Sequence, residues 1–217
     1  MRMRRWLWSA GLAAVVGLGC AHDETKQARS RGEKVGLALA KKVRFADQLS
    51  LLNQEQIVLA HVALRRSTTP EVRRFAEELI RNHQRNQDDL ETLAESKTLS
   101  LAEVDLNTED LAIGGGGTEG LEKGLEKGDE AYDKKYDQQV MDFLERRNAL
   151  AGLSGRQFDQ AFLAEVKKGQ ERGEKLVDQG LDDFRDDTTL AVFLTRTAPV
   201  FEVHQHQVET LKGYLGD

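Results

Sequence analysis

Apolar residues return every three or four positions through most of the chain, and polar ones fill the gaps between them. Over residues 45–66, Phe45, Leu49, Leu52, Leu59 and Ala63 lie on one stripe of a helix turning about 100° per residue. Ser67, Thr68 and Thr69 form a short connection, and a second stripe follows with Val72, Phe75, Leu79, Leu90 and Leu93. That second helix has a clear start. Thr69 is a suitable N-cap residue, Pro70 has no N–H to leave unpaired in the first turn, and Glu71 places negative charge at the helix N-terminus. So short a link predicts an antiparallel hairpin. A third patterned region spans 118–150, with Leu121, Leu125, Tyr132, Tyr136, Val140, Phe143 and Leu150 on one face. It reads as an accessory helix whose tyrosines pack with their hydroxyls outward. A fourth helix, 158–181, carries Phe158, Phe162, Val166, Leu176 and Gly180. A last one, 188–215, carries Leu190, Phe193, Val200, Leu211 and Leu215. Pro199 lies inside the last helix and is expected to kink or locally break it. Gly169 and Gly173 fall on the inner face of the fourth helix, where they allow bulky neighbours to come close.

The stripes are interrupted at mid-helix in a consistent way. Gln56 stands in the centre of the first, and His83 and Asn86 occupy apolar positions of the second. Gln170 is at the edge of the fourth and His204 is inside the last. Mid-helix residues of an antiparallel bundle meet at one level. The spacing therefore predicts a buried polar layer of Gln56, His83, Gln170 and His204. Such a layer is more often a hydrogen-bonded device that fixes helix register than a ligand set. His61 and His206 lie off the stripes.

Composition agrees with an all-α chain: among 217 residues there are two prolines, aromatics make up 6% and charged residues 31%. The segment between the second and third helices, 98–118, ends in Gly114 to Gly117 and reads as a flexible crossing loop. It is not a phosphate loop, since no Lys-Ser/Thr pair follows the glycines and no strand precedes them.

The N-terminus changes the picture. Arg2, Arg4 and Arg5 precede a 14-residue apolar run, 6–19, which is short for a membrane span and suits a signal sequence. The run ends at Cys20, the one cysteine of the chain. Residues 1–20 therefore resemble a bacterial lipoprotein signal and lipobox with Cys20 as the lipidated residue, although Gly17 stands where a leucine is expected. Plain secretion is the weaker reading. Residues 21–44 are polar and read as a tether whose end, Val35 to Val43, is compatible with a helix, leaving 45–217 as the helical domain. Ala21 is not the aspartate that retains lipoproteins in some inner membranes, which favours the outer membrane. Without the three signal arginines, 28 basic residues face 37 acidic ones, a net of −9. So acidic a protein is not built for nucleic acid, and its attachment to a membrane would rest on acyl chains.

The sequence also resembles the bacterial domain-of-unknown-function family four-one-four-two. The resemblance rests on the run Thr69 to Ala76, on Asn82-His83 followed by Leu90, on Leu153-Ser154-Gly155 with Phe158-Asp159, and on Pro199 with His204. It implies a ferritin-like antiparallel four-helix bundle, here with an additional accessory helix and a flexible N-terminal segment, often found on exported proteins. The family commonly has glutamate at Gln56 and histidine at Gln170, so this chain lacks two of the strong donors a metal site would inherit. No Glu-x-x-His motif occurs. His83, His204 and Glu165 are the residues left that could ligate a metal. No nucleophile elbow, nucleotide loop or cysteine nucleophile is present. The expectation is a non-enzymatic envelope module without a cofactor, anchored to the membrane through Cys20 and with no identified protein partner. The alternative is a ferritin-like metal-binding or oxidative-stress protein with a degenerate site. A partner surface on the Tyr132/Tyr136 helix is a third reading.

Overall fold

The computed structural model describes residues 20–102, 104, 106 and 129–216, with side chains from residue 32 onward except that of Asp129. It contains α1 (Cys20–Arg66), α2 (Pro70–Ser96), α3 (Asp129–Ala151), α4 (Gly155–Asp183) and α5 (Thr188–Leu215). No strand occurs among the described residues. None of these helices is long and apolar enough to cross a membrane.

Four helices close a ring: α1 packs on α2 and α4, and α5 packs on α2 and α4. α3 lies across α1 and α4. Neighbours run antiparallel. Asn53 of α1 bonds Asn86 of α2, Asn82 of α2 bonds His204 of α5, and Gln170 of α4 bonds Gln56 of α1. The core is split along its length. Towards the α1–α2 turn, Leu59, Val72, Phe75, Leu79, Phe158, Phe162 and Val208 form one apolar cluster, which continues under α3. Towards the other end, Phe45, Leu49, Leu52, Leu90, Leu194 and Phe201 form a second. Between the two lies a polar stratum.

Several local features depart from the sequence reading. Within the described residues α1 runs from Cys20, so residues 21–44, expected as a polar tether, are helical and continuous with a core helix. Lys, Glu, Gln and Ala there are good helix formers, and the core end of α1 gives the extension a nucleus to grow from. Its side chains are exposed over 32–38, and burial begins at Phe45.

Thr69 is extended but does not cap α2 with its side chain; its hydroxyl instead donates to Asp159 Oδ2 at 2.5 Å. α5 runs unbroken through Pro199. The inner face of α5 passes through Phe201 rather than Val200, and that of α4 through Val177 rather than Leu176.

The start of the crossing segment is fastened. The Ala102 N–H donates to Asp47 Oδ1 at 2.8 Å, and Leu106 is buried with its carbonyl bonded by Arg147. The glycine run 114–117 and residues 118–128 of the expected accessory helix lie outside the described residues. The tyrosine hydroxyls of α3 point inward. Tyr132 donates to the Arg44 carbonyl at 3.0 Å, and the hydroxyl of Tyr136 is buried without a hydrogen-bond partner.

Candidate functional site: a polar stratum across the bundle

All four ring helices contribute to the stratum. Gln56, His83, Gln170 and His204 are at most 1% exposed, and Asn53, Asn86 and Thr197 are buried beside them. The helices can approach this closely because Gly169 has no side chain: a Cβ there would overlap the Gln56 amide. One turn on, a Cβ on Gly173 would collide with the Phe201 ring and come within 2.7 Å of Leu52 Cδ2. The two glycines give up helix propensity, about 1 kcal/mol each, for that approach.

The hydrogen bonds form one directional chain. Gln170 Nε2 donates to Gln56 Oε1 at 2.9 Å and to His83 Nε2 at 3.2 Å. His83 must then carry its proton on Nδ1, which lies 3.0 Å from Asn53 Oδ1. Asn53 Nδ2 donates to Asn86 Oδ1 at 2.8 Å, Asn86 Nδ2 to Thr197 Oγ1 at 2.6 Å, and Thr197 Oγ1 to the Phe193 carbonyl at 3.0 Å. On the other side, His204 Nδ1 lies 3.3 Å from Gln170 Oε1, which is free only to accept. His204 is therefore also the Nδ1–H tautomer, and its Nε2 accepts from Asn82 Nδ2 at 3.0 Å. Every ring nitrogen has a partner of the right sense.

Both imidazoles are neutral. Burial, helped by the neighbouring His204, lowers the His83 pKa to about 3. Burial lowers that of His204 to about 4, against a smaller opposing pull from Glu78. The rings are 5.3 Å apart between centroids, with Phe201 on His83 and Phe75 edge-on to His204.

Glu165 is not at this level. Its carboxylate pairs with Arg146 of α3 at 3.2 Å and with Lys168 at 2.7 Å. Among the described residues, no three His, Cys, Asp or Glu side chains are placed to hold one metal ion. The stratum itself fits a metal poorly. The lone pair of each Nε2 already takes an amide N–H, and the adjacent groups are amides, which are weak ligands for transition metals. Cys20 is the first described residue of α1, and its side chain is outside the described ones. His206 is exposed and His61 half-buried.

Sequence reasoning missed Asn53, Asn82 and Thr197 and gave Asn86 no role. A signal was present: Asn53 precedes Gln56 by three residues, Asn86 follows His83 by three, and Thr197 precedes His204 by seven. Those are helix-face spacings, so each partner sits one or two turns along the same face.

A second buried polar group lies between α1, α3 and α4. Glu55 is 1% exposed and pairs with Arg172. Its Oε1 has no hydrogen-bond partner. Burial raises its pKa, with Arg172 opposing. Asp47, two turns earlier, is raised to about 6 by burial, against the Ala102 N–H and with a further push from Asp133.

Comparison with known proteins adds the family. Among solved structures, the fold is similar to a DUF305 protein from Streptomyces coelicolor that is named as secreted. The TM-score is 0.57 and the identity 13%, over 80% of this chain and 92% of that one. No curated protein matches the chain significantly. Residues 27–211 match the domain of unknown function DUF4142, and the chain belongs to that family.

Proposed function

We propose that this is a lipid-anchored protein of the bacterial cell envelope, held at the periplasmic side of the outer membrane through Cys20. Its helical bundle acts as a structural or binding module rather than as an enzyme. In this reading the stratum of Gln56, His83, Gln170 and His204 is a register lock. The supporting observation is the closed set of neutral hydrogen bonds, in which each imidazole is used at both nitrogens. One helix slipping by a turn past its neighbours would leave several buried donors and acceptors unpaired, at about 1–3 kcal/mol each. The secreted DUF305 neighbour supports an extracytoplasmic setting. Radiolabelled palmitate fed to the producing bacterium should label the wild-type protein and not a Cys20→Ser variant. Equal labelling of both would sink the anchor.

A ferritin-like metal-binding role is the second reading, favoured by the 5.3 Å separation of the His83 and His204 rings. It requires Gln170 and Asn82 to swing away from the two Nε2 atoms. Metal analysis of protein purified without chelator separates the two readings. Stoichiometric iron or copper, lost in the His83→Ala, His204→Ala double variant and accompanied by oxidase activity, would replace the register lock with a metal centre.

A further inference from the structure

A cleft of about 200 Å³ lies between α1 and α4, with α3 along one side. Its floor is Leu51, Leu52 and Leu176. At one end sits the Glu55–Arg172 pair, and Lys175 stands on the rim. The far wall is closed by Gln48, whose amide donates to Gln139 Oε1 of α3 at 3.0 Å.

The chain carries a net of −6, yet this cleft is lined by two cations and one carboxylate. The carboxylate is buried and holds Arg172 in place through Oε2, while its Oε1 has no hydrogen-bond partner. The Arg172 side chain is 42% exposed, and a guanidinium has five N–H donors, so the pair does not exhaust it. Lys175 is exposed and makes no hydrogen bond or ion pair among the described residues. A leucine floor beneath two cations is complementary to an anion with an apolar body. The volume fixes the scale: sites for drug-sized ligands begin at about 300 Å³, so this one takes a single ring or a short chain.

We infer that the cleft between α1 and α4 binds a small organic monocarboxylate, its apolar body on Leu51, Leu52 and Leu176 and its carboxylate between Arg172 and Lys175. This rests on the bundle being a binding module, and not on the register lock or on the anchor. Equilibrium dialysis of radiolabelled benzoate against the protein as purified from its host, with the same buffer lacking protein as the blank, tests it. The wild type should take up benzoate saturably at one per chain. Neutral benzamide should fail to compete. Lys175→Glu should weaken binding by about tenfold or more, the scale of one charge-assisted hydrogen bond. Leu176→Trp, which fills the floor, should abolish it while helicity by circular dichroism stays unchanged. Absence of saturable uptake by the wild type overturns the inference, as does uptake that Lys175→Glu leaves intact. Palmitate labelling is independent of benzoate, so a failed cleft and a failed anchor are told apart.

Discussion

Gln170 decides where the proton of His83 resides. Its amide donates to His83 Nε2 at 3.2 Å, so Nδ1 must be the protonated nitrogen, and Nδ1 faces Asn53 Oδ1 at 3.0 Å. Two helices are thereby joined to α2 through one ring. Replacing His83 with leucine keeps the volume roughly but leaves one Gln170 N–H and the Asn53 oxygen unpaired in the interior. Each such group costs about 1–3 kcal/mol. His83→Leu should lower stability by about 2–5 kcal/mol, read from the urea midpoint at pH 7. A change below about 0.5 kcal/mol, less than one such unpaired group costs, would show that the layer contributes nothing to stability.

The same ring gives a pH signature. The folded pKa of His83, about 3, lies below the ordinary value of 6.5. The unfolded chain therefore takes up the proton first as pH falls. Stability due to His83 is complete above about pH 6.5 and is lost progressively below it. Between pH 7 and pH 5 the gap in stability between wild type and His83→Leu should narrow by about 2 kcal/mol, at about 1.36 kcal/mol per pH unit below 6.5. Urea titrations of the two proteins at both pH values measure it, and a constant gap contradicts the neutral buried imidazole.

Asp47 titrates with the opposite sign. Its folded pKa is raised to about 6, chiefly by burial, above the unfolded value of 3.8. It therefore costs stability above about pH 6, and the cost disappears below about pH 4. Asp47→Asn keeps an oxygen for the Ala102 N–H and removes the charge. The variant should be more stable than wild type at pH 7 by about 2–3 kcal/mol, with the advantage gone at about pH 4. Thermal melts at the two pH values show it directly.

Gly169→Ala tests the close approach of α4 to α1. Alanine favours the helix by about 1 kcal/mol. The added methyl must displace the Gln56 amide, which breaks its bond with Gln170. Overpacking of this kind costs about 1–3 kcal/mol. The expected net effect is destabilisation, with the side-chain amide signals of Gln56 and Gln170 shifted in NMR spectra. If Gly169→Ala instead raised the melting temperature, the amide would have room to move aside.

The fold was legible where one stripe faces one core. Pro70 opens α2 and the last helix spans 188–215, as the pattern indicates. The level shared by Gln56, His83, Gln170 and His204 could be read from mid-helix spacing. What escaped has two physical causes. α1 is buried on two sides: Leu52 and Leu59 face the ring, while Leu51, Val58 and Val62 belong to the cluster that includes Tyr136, Val140 and Phe143 of α3. A search for a single stripe finds the first side and leaves Asp47 and Glu55 looking solvated. The second cause is chemical. Asn53 and Thr197 read as ordinary polar helix residues until the partner that each satisfies is known, and that partner is on another helix.

The continuity of α1 has a mechanical consequence. Cys20 and Phe45 lie on one helix, with a rise of about 1.5 Å and a turn of about 100° per residue. A flexible linker sets only how far a domain can wander from its attachment point. A helix also sets which way the domain faces. Deleting one residue between Cys20 and Phe45 would draw the bundle in by about 1.5 Å and rotate it by about 100° about α1, whereas deleting seven would shorten the arm by about 10 Å and nearly restore the facing. The length of this helical segment therefore encodes the azimuth of the bundle about Cys20 as well as its distance from it.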